Sequence, residues 1–386
     1  MVCIRENGND PGARCRSQVP PANVRRRPSR FVSLVVWIPT LWAAAGYGAA
    51  PTPDPAEFVR IDKLTNRVLL AYWLGTGRCN LTAINSEKGL VIIDTEMSPR
   101  IMAPIKAKIE QVFGRNDWAY VINTHAHDNH AGGNALFKGA VIVGHDNLPK
   151  DMQWLIRKQT EPDWKRKDFD HTAEILRNLQ AALPQMAGNR ANARRIQGEI
   201  KFWQLYSQDM EEGYPIVLPT LTFADTQTLD LGDLRLELVF CGKGHSPSDI
   251  LIFIPQERLL VSGALVSRFH LPEIGQESTL DDVLRHITVL DRFSADGVKI
   301  DRVVPSHYPP LVQKDLLPVR DYYRKMLAGV RAARKEGLTL EQTAQRLALR
   351  TSFPTVDLRT MNAGTPDTHE RNINNLWRIV GQEQQP

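Results

Sequence analysis

Short apolar runs broken by turn residues dominate much of the chain, and their spacing separates strands from helices. Val68–Leu74, Leu81–Asn85, Leu90–Ile93, Trp118–Ile122 and Ala140–Val143 read as strands. A second series follows at Leu221–Ala224, Thr228–Leu231, Arg235–Val239, Ile250–Ile254, Leu259–Val261 and Arg302–Val304. Lys88-Gly89 and Asp230–Asp233 carry the turn chemistry of hairpins. Helical spacing appears between the strands. Ile101, Ile105, Ile109 and Val112 predict a helix with Ser98 as N-cap and Gly114 as its end, and Pro104 predicts that its regular part starts late. A helix over Thr279–Arg292 presents Val283, Leu284, Ile287 and Leu290 on one face. Helices are also predicted at Leu316–Lys335, Thr339–Leu349 and Thr368–Val380.

Residues 147–212 break the strand rhythm. They are rich in Lys, Arg, Gln, Asn and Glu, with apolar positions at helical intervals: Leu176, Leu179 and Leu183, then Ile196, Ile200 and Trp203. Two or three helices inserted between strands are expected, either as a lid over a site or as a packing accessory. Pro51, Pro53 and Pro55 mark a linker, taken as residues 51–60. The main domain is then 61–315, with the insertion at 147–212 and a C-terminal helical extension at 316–386. No repeat of fixed period occurs. Two β-rich halves, each closed by helices, predict an α/β fold with αββα layers.

Composition changes this picture mainly at the N-terminus. The 386 residues suffice for a large core. The net charge of +5 is local: residues 1–50 hold seven arginines and no lysine against Glu6 and Asp10, and the remainder carries 41 basic and 41 acidic residues. That balance gives no argument for a nucleic-acid partner. Arg25, Arg26, Arg27 and Arg30 precede the uncharged stretch Phe31–Ala50, which ends in small residues. Basic, apolar and small parts in this order predict a secretory leader over 1–50, and hence an exported protein, periplasmic or secreted. The competing reading is an uncleaved anchor, the sole route to a membrane, which Pro39, Gly46 and Gly48 weaken. Cys3 and Cys15 fall in the leader; Cys79 and Cys241 would either pair or remain buried thiols.

The chemistry concentrates in Thr124–Gly133, which reads Thr-His-Ala-His-Asp-Asn-His-Ala-Gly-Gly directly after a predicted strand. Imidazole is the commonest protein ligand for zinc. In an extended or turning segment His125 and His127 can face one ion, and His130, on the next turn, a second position. Gly132 and Gly133 let the backbone pack closely beside that turn. His245 lies before the strand Ile250–Ile254, within Cys241–Asp249, and His307 lies after Arg302–Val304. Asp94 closes the strand Leu90–Ile93.

In order and spacing, Asp94, the histidine run, His245 and His307 resemble the metallo-β-lactamase fold superfamily, over roughly Val68–Pro310. The C-terminal helices and the strand pattern of Thr222–Pro255 also look like its cyclase-like branch. The resemblance implies a four-layer αββα sandwich with one or two zinc ions at its edge. It implies that His125, His127 and His245 hold the first Zn2+, leaving a position open to water, and that His130 and His307 serve the second. Asp94 would orient the histidine loop from behind, or, alternatively, simply cap it. Two departures bear on the second ion. The family's Asp in His-x-His-x-Asp-His is Asn129 here, with Asp128 displaced beside it, and the later acidic position is Ala264. An Asn brings a carbonyl oxygen but no charge, and Ala264 brings nothing. One zinc is therefore expected, with the second weak or absent. Ala264 also argues against branches that resemble glyoxalase II or persulfide dioxygenase, which use that carboxylate.

The functional expectation is an exported zinc-dependent hydrolase in which metal-bound hydroxide attacks the carbonyl of a small-molecule lactam, lactone or ester. Asp128, Asn129 and Tyr308 are the candidate catalytic side chains beyond the ligands, with Asp128 and Tyr308 as proton donors. The alternative is a non-catalytic relative that binds zinc or a ligand. His145, His171, His270, His286 and His369 read as surface or satisfied core residues, with His145 and His270 the two positioned to line a pocket. Trp73, Trp154, Trp164 and Trp203 read as packing, with those of the insertion available to wall a cleft.

Overall fold

Twelve described strands form two mixed sheets, each covered by helices on its outer face. The computed structural model describes residues 54–75, 79–186, 188–267, 269–353 and 365–383. The expected leader, with Cys3 and Cys15, lies outside the described residues.

The first sheet runs β1 (Val59–Lys63), β2 (Val68–Trp73), β3 (Leu81–Ser86), β4 (Gly89–Ile93), β5 (Trp118–Ile122), β6 (Val141–His145) and β7 (Leu221–Phe223), in spatial order as in sequence. The first four pair antiparallel and the last four are parallel. Between β4 and β5 lies α1 (Pro99–Phe113), and α2 (Asp128–Ala131) is a single turn after β5. The insertion contributes α3 (Leu148–Asp151), α4 (Gln153–Thr160), α5 (Pro162–Ala182) and α6 (Arg190–Glu212). The second sheet contains β8 (Thr226–Asp230), β9 (Arg235–Phe240), β10 (Ile250–Ile254), β11 (Leu259–Gly263) and β12 (Arg302–Pro305), in the order β12-β11-β10-β9-β8. Its helices are α7 (Leu280–Ser294), α8 (Leu316–Lys335), α9 (Leu340–Arg346), α10 (Leu349–Ser352) and α11 (Thr365–Glu383).

Three apolar clusters explain the layering. Val68, Leu70, Val91 and Ile93 of the first sheet meet Leu236, Leu238, Ile252 and Val304 of the second. The opposite face of the first sheet, with Leu69, Ala71 and Ile92, buries Ile101, Ile105 and Ile109 of α1 and Tyr206 and Met210 of α6. The outer face of the second sheet, with Leu251, Phe253 and Leu260, buries residues of α7, α8 and α11. Because strand side chains alternate between faces, each sheet is apolar on both sides, and the order of layers is αββα as expected.

Three expectations are corrected. The linker does not extend to residue 60: Phe58 and Val59 are buried and β1 pairs with β2 along its length. The prolines stop at Pro55, so nothing after it prevents ladder formation. Pro104 does not delay α1, which starts at Pro99 and continues through it: as the sixth helical residue it forgoes one intrahelical bond, to the Arg100 carbonyl, and the helix goes on to Phe113. Finally, 316–386 is no separate extension. Tyr323, Met326, Leu376 and Ile379 share one core with β10 and β11.

Candidate metal centre

Every candidate ligand leaves the end of a strand at one edge of the sandwich. β4 delivers Asp94, β5 delivers Thr124–His127, the β9–β10 connection delivers His245, β11 ends at Gly263 and Ala264, and β12 delivers His307. Parallel pairing of β4 with β5 and of β11 with β12 puts these ends side by side.

The histidine loop is held from behind by Asp94. Its Oδ1 accepts the Thr124 backbone N–H at 2.8 Å, and its Oδ2 accepts the Thr124 hydroxyl at 2.8 Å and lies 2.8 Å from His130 Nδ1. Asp94 thus caps the start of the loop through Thr124 and also contacts His130, a geometry that both of its readings share. The glycines do what close approach requires: a Cβ on Gly132 would lie 2.0 Å from the Met97 carbonyl oxygen, and one on Gly133 2.1 Å from that of Thr95. Asp94, Glu96 and Tyr308 sit at φ values of 64°, 61° and 72°, a conformation uncommon for residues with a Cβ. Such strain clusters where a site dictates the backbone.

His125, His127 and His245 converge. His125 Nε2 lies 3.2 Å from His127 Nδ1, and His127 Nδ1 lies 3.0 Å from His245 Nε2. Ligand atoms of all three fall within 4.8 Å of one another. Nitrogens on a tetrahedral zinc with bonds of about 2.0–2.1 Å stand about 3.3 Å apart, so this cluster fits the ion. Burial, then the neighbouring imidazoles, push His125 and His127 well below the usual histidine range, which keeps their lone pairs free for a cation. For His245 burial pulls downward, but its bond to Glu273 and the charges of Glu273, Asp249 and Asp151 outweigh it, and the net shift is upward. Glu273 Oε1 stands 3.1 Å from His245 Nδ1, leaving Nε2 to face the cluster. Asp249 shapes the same loop by accepting Ser246 N–H at 3.1 and 3.0 Å and its hydroxyl at 2.7 Å.

The second position differs. His130 and His307 face each other with ring centroids 5.2 Å apart, and the Asn129 amide lies 3.0 Å from His130 Nε2 and 3.3 Å from His307 Nε2. A carboxylate, Asp94, meets His130 only at Nδ1, and among the described residues His307 belongs to no grouping of His, Cys, Asp and Glu ligand atoms. Ala264 lines the cavity beside it without offering a ligand atom. A neighbouring group of Cys79, Asp94 and His130 also lies within 4.8 Å, but Asp94 is committed to Thr124, and burial, then the Glu96 and Asp94 charges, push the Cys79 thiol well up. Cys79 and Cys241 are both free and buried.

Asp128 turns away from the cluster. Its Oδ2 ion pairs with Lys158 of α4 at 2.7 Å, and its Oδ1 accepts the Asn129 N–H at 2.9 Å. This engagement ties Asp128 to the buried Lys158 ammonium, which it shares with Asp168 at 3.1 Å, and not to the histidine cluster. Tyr308 does reach the site. It lines a cavity of about 350 Å³ with His127, His245, Ser267, His270 and His307, and its hydroxyl lies 2.8 Å from His270 Nε2. Of the two histidines positioned for a pocket, His270 lines it. His145 instead stacks on Phe240, with centroids 3.7 Å apart, and bonds the Ala224 carbonyl. Trp154 of the insertion stands edge-on to His127, with centroids 6.3 Å apart. Glu273 and Lys158 escaped sequence reasoning, since neither belongs to a local motif.

Comparison with known proteins agrees with this geometry. The model of the metallo-beta-lactamase superfamily matches residues 74–307. A metallo-beta-lactamase type 2 of Bacteroides fragilis is 30% identical over 97 residues, 25% of this chain and 38% of that protein. One of Bacillus cereus is 22% identical over 231 residues, 59% of this chain and 66% of that protein. The chain thus spans less than two thirds of these curated relatives. Among solved structures, the stereoselective inverting sec-alkylsulfatase Pisa1 from Pseudomonas sp. superimposes with a TM-score of 0.53 at 14% identity, over 82% of this chain and 49% of that one. That likeness is one of fold.

Proposed function

The chain belongs to the metallo-beta-lactamase superfamily, and on that footing we propose that it is an exported zinc hydrolase acting on a carbonyl centre of a small molecule, a lactam, lactone or ester. The observation that carries the reading is the approach of His125, His127 and His245 nitrogens to 3.0–3.2 Å, with His127 and His245 lining a 350 Å³ cavity. These three residues would hold the ion. Bound there, zinc supplies Lewis acidity, lowering the pKa of a water and polarising a carbonyl oxygen.

The remaining work falls to the protein. Glu273 holds the His245 ring by its Nδ1 and fixes which nitrogen faces inward. Ser267 Oγ is buried, has no hydrogen-bond partner among the described residues and lines the cavity, so it can donate to a substrate oxygen. Tyr308 and His270 form a hydroxyl–imidazole pair on the cavity wall that can pass a proton to a leaving group. Arg25–Arg27 and Arg30 ahead of Phe31–Ala50 support export, and no helix among the described residues is long and apolar enough to cross a membrane.

One observation favours a second reading. Asn129 and Ala264 leave the second position without a carboxylate, as a binding protein descended from an enzyme would. A metal count with a chromogenic ester and lactam panel separates the two. The hydrolase predicts one tightly held zinc and turnover; full zinc with no turnover across the panel supports the binder. N-terminal sequencing of protein recovered from the periplasm tests export.

A further inference from the structure

The stretch 269–279, between β11 and α7, has no ladder of its own, so its peptide groups must find partners elsewhere. Across 272–278 those partners are side chains of the C-terminal helices. Asn372 of α11 takes both groups that flank Glu273: its Nδ2 donates to the Pro272 carbonyl oxygen at 2.8 Å, and its Oδ1 accepts the Ile274 N–H at 2.8 Å. Tyr323 of α8 donates its hydroxyl to the Glu273 carbonyl oxygen at 3.0 Å. Further along α11, Asn375 donates to the Ile274 carbonyl oxygen at 2.7 Å, and Arg378 to those of Gln276 and Ser278 at 2.8 and 3.0 Å. The spacing 372, 375, 378 keeps these three on one side of the helix.

Asn372 is itself fixed in this orientation. It is 1% exposed, and its Nδ2 also donates to the Tyr322 hydroxyl oxygen at 3.0 Å. That hydroxyl stands 2.9 Å from His369 Nδ1, and His369 Nε2 lies 2.8 Å from the Leu347 carbonyl oxygen. A carbonyl only accepts, so Nε2 carries the hydrogen, Nδ1 accepts from Tyr322, and the Tyr322 oxygen is left to accept from Asn372. Turning the Asn372 amide over would set oxygen against the Pro272 carbonyl and NH2 against the Ile274 N–H.

The gripped segment in turn lies on the loop that bears His245. A Cβ on Gly275 would stand 2.6 Å from the Gly244 carbonyl oxygen, and one on Gly244 3.0 Å from that of Glu273, so the two backbones touch. Glu273 Oε1 then meets His245 Nδ1 at 3.1 Å. We infer that Asn372 is a positioning residue for the metal centre: by bracketing Glu273 it sets where that carboxylate meets the His245 ring, and hence where His245 Nε2 points. This role rests on the three-histidine zinc site proposed above. It gives the C-terminal helices a part in metal binding, although 98 and 100 residues separate Asn372 from the two groups it holds.

The test measures zinc affinity by chelator competition in full-length wild type, Asn372→Ala, Glu273→Ala and the double variant. Asn374→Ala, at an exposed neighbour on α11, is the control. Asn372→Ala is expected to weaken zinc binding by roughly 3- to 30-fold, less than the 10–100-fold expected for Glu273→Ala, while Asn374→Ala leaves it unchanged. Acting through Glu273, the Asn372 substitution should cost less than ~2-fold further in the Glu273→Ala background, whereas a general loosening of the fold lowers affinity by the same factor in both. Cobalt-substituted protein reports the geometry directly: its visible absorption should shift in Asn372→Ala and Glu273→Ala alike. Where Asn372→Ala does not fold, the wild type decides, because coupling is reciprocal: zinc should slow hydrogen exchange at the Ile274 amide that Asn372 holds. Equal zinc affinity in wild type and Asn372→Ala, independent losses in the double variant, or Ile274 exchange indifferent to zinc overturns the role of Asn372 and leaves the zinc site standing. A wild type that holds no zinc overturns both.

Discussion

His127 Nδ1 and His245 Nε2 stand 3.0 Å apart although 118 residues separate them in the chain. Two imidazole nitrogens at that distance either share a proton or share a cation, and burial disfavours the protonated form of His127. Removing either ring should therefore abolish the cluster's function without removing core volume. For His127→Ala we expect loss of tightly held zinc by elemental analysis, loss of turnover, and a circular dichroism spectrum like that of the zinc-free wild type. Retention of one zinc per chain in the variant would show that these imidazoles are not the ligands.

Glu273 would act on the same ion at one remove. It fixes the His245 ring through Nδ1, and partners of this kind are worth 10–100-fold in metal affinity. Glu273→Ala should weaken zinc binding by roughly that factor in a chelator competition, and Glu273→Gln, which can still bond the ring, should recover part of the loss. Equal affinities in all three proteins would reduce Glu273 to a surface contact.

The second position makes a prediction of opposite sign. Asn129 presents a neutral amide to His130 Nε2 and His307 Nε2, where a carboxylate would add the negative charge that attracts a dication. Asn129→Asp should raise metal content from about one toward two per chain at equal free zinc. Unchanged stoichiometry would mean that Ala264, not Asn129, limits the site.

The balance of what the sequence disclosed follows from how local each signal is. β5 and α8 carry the bounds that their apolar spacing predicts, because period and end signals lie within a dozen residues. β1 escaped notice because Phe58 and Val59 follow the proline run, and their pairing with β2 is a tertiary fact. The histidines were legible as a motif. The engagement of Asp128 was not, since Lys158 comes from a helix of the insertion and nothing near Asp128 announces it. Glu273 reaches His245 across 28 residues of chain that include β10 and β11, for the same reason.

Lys158 offers a direct test of that engagement. Its ammonium lies between Asp128 and Asp168, with Tyr206 donating its hydroxyl to Asp168 at 2.7 Å, and the side chains of Lys158, Asp128 and Asp168 are 13–15% exposed. Lys158→Met leaves two carboxylates facing each other without a cation, and breaking a buried pair from one side costs about 3–5 kcal/mol. Chemical denaturation should show a loss of that order. The double variant Lys158→Met, Asp128→Asn should recover part of it. A single variant as stable as the wild type would mean that water already solvates these carboxylates.

His286 predicts a pH dependence separate from the metal centre. It is fully buried against Tyr323, its Nε2 lies 3.2 Å from the Lys243 carbonyl oxygen, and burial lowers its pKa to about 4. In the unfolded chain the imidazole returns to the ordinary value near 6.5. Between these values the unfolded state binds the proton and the folded state does not. Stability contributed by the neutral ring is therefore complete above about pH 6.5 and is lost as pH falls toward 4, by on the order of 3 kcal/mol. Replacing His286 by Gln keeps a donor for Lys243 and removes the titration. Urea unfolding at pH 7 and pH 4.5, both proteins stripped of zinc, should show a smaller acid loss in His286→Gln than in the wild type. Parallel losses in the two proteins would assign the acid sensitivity to other groups.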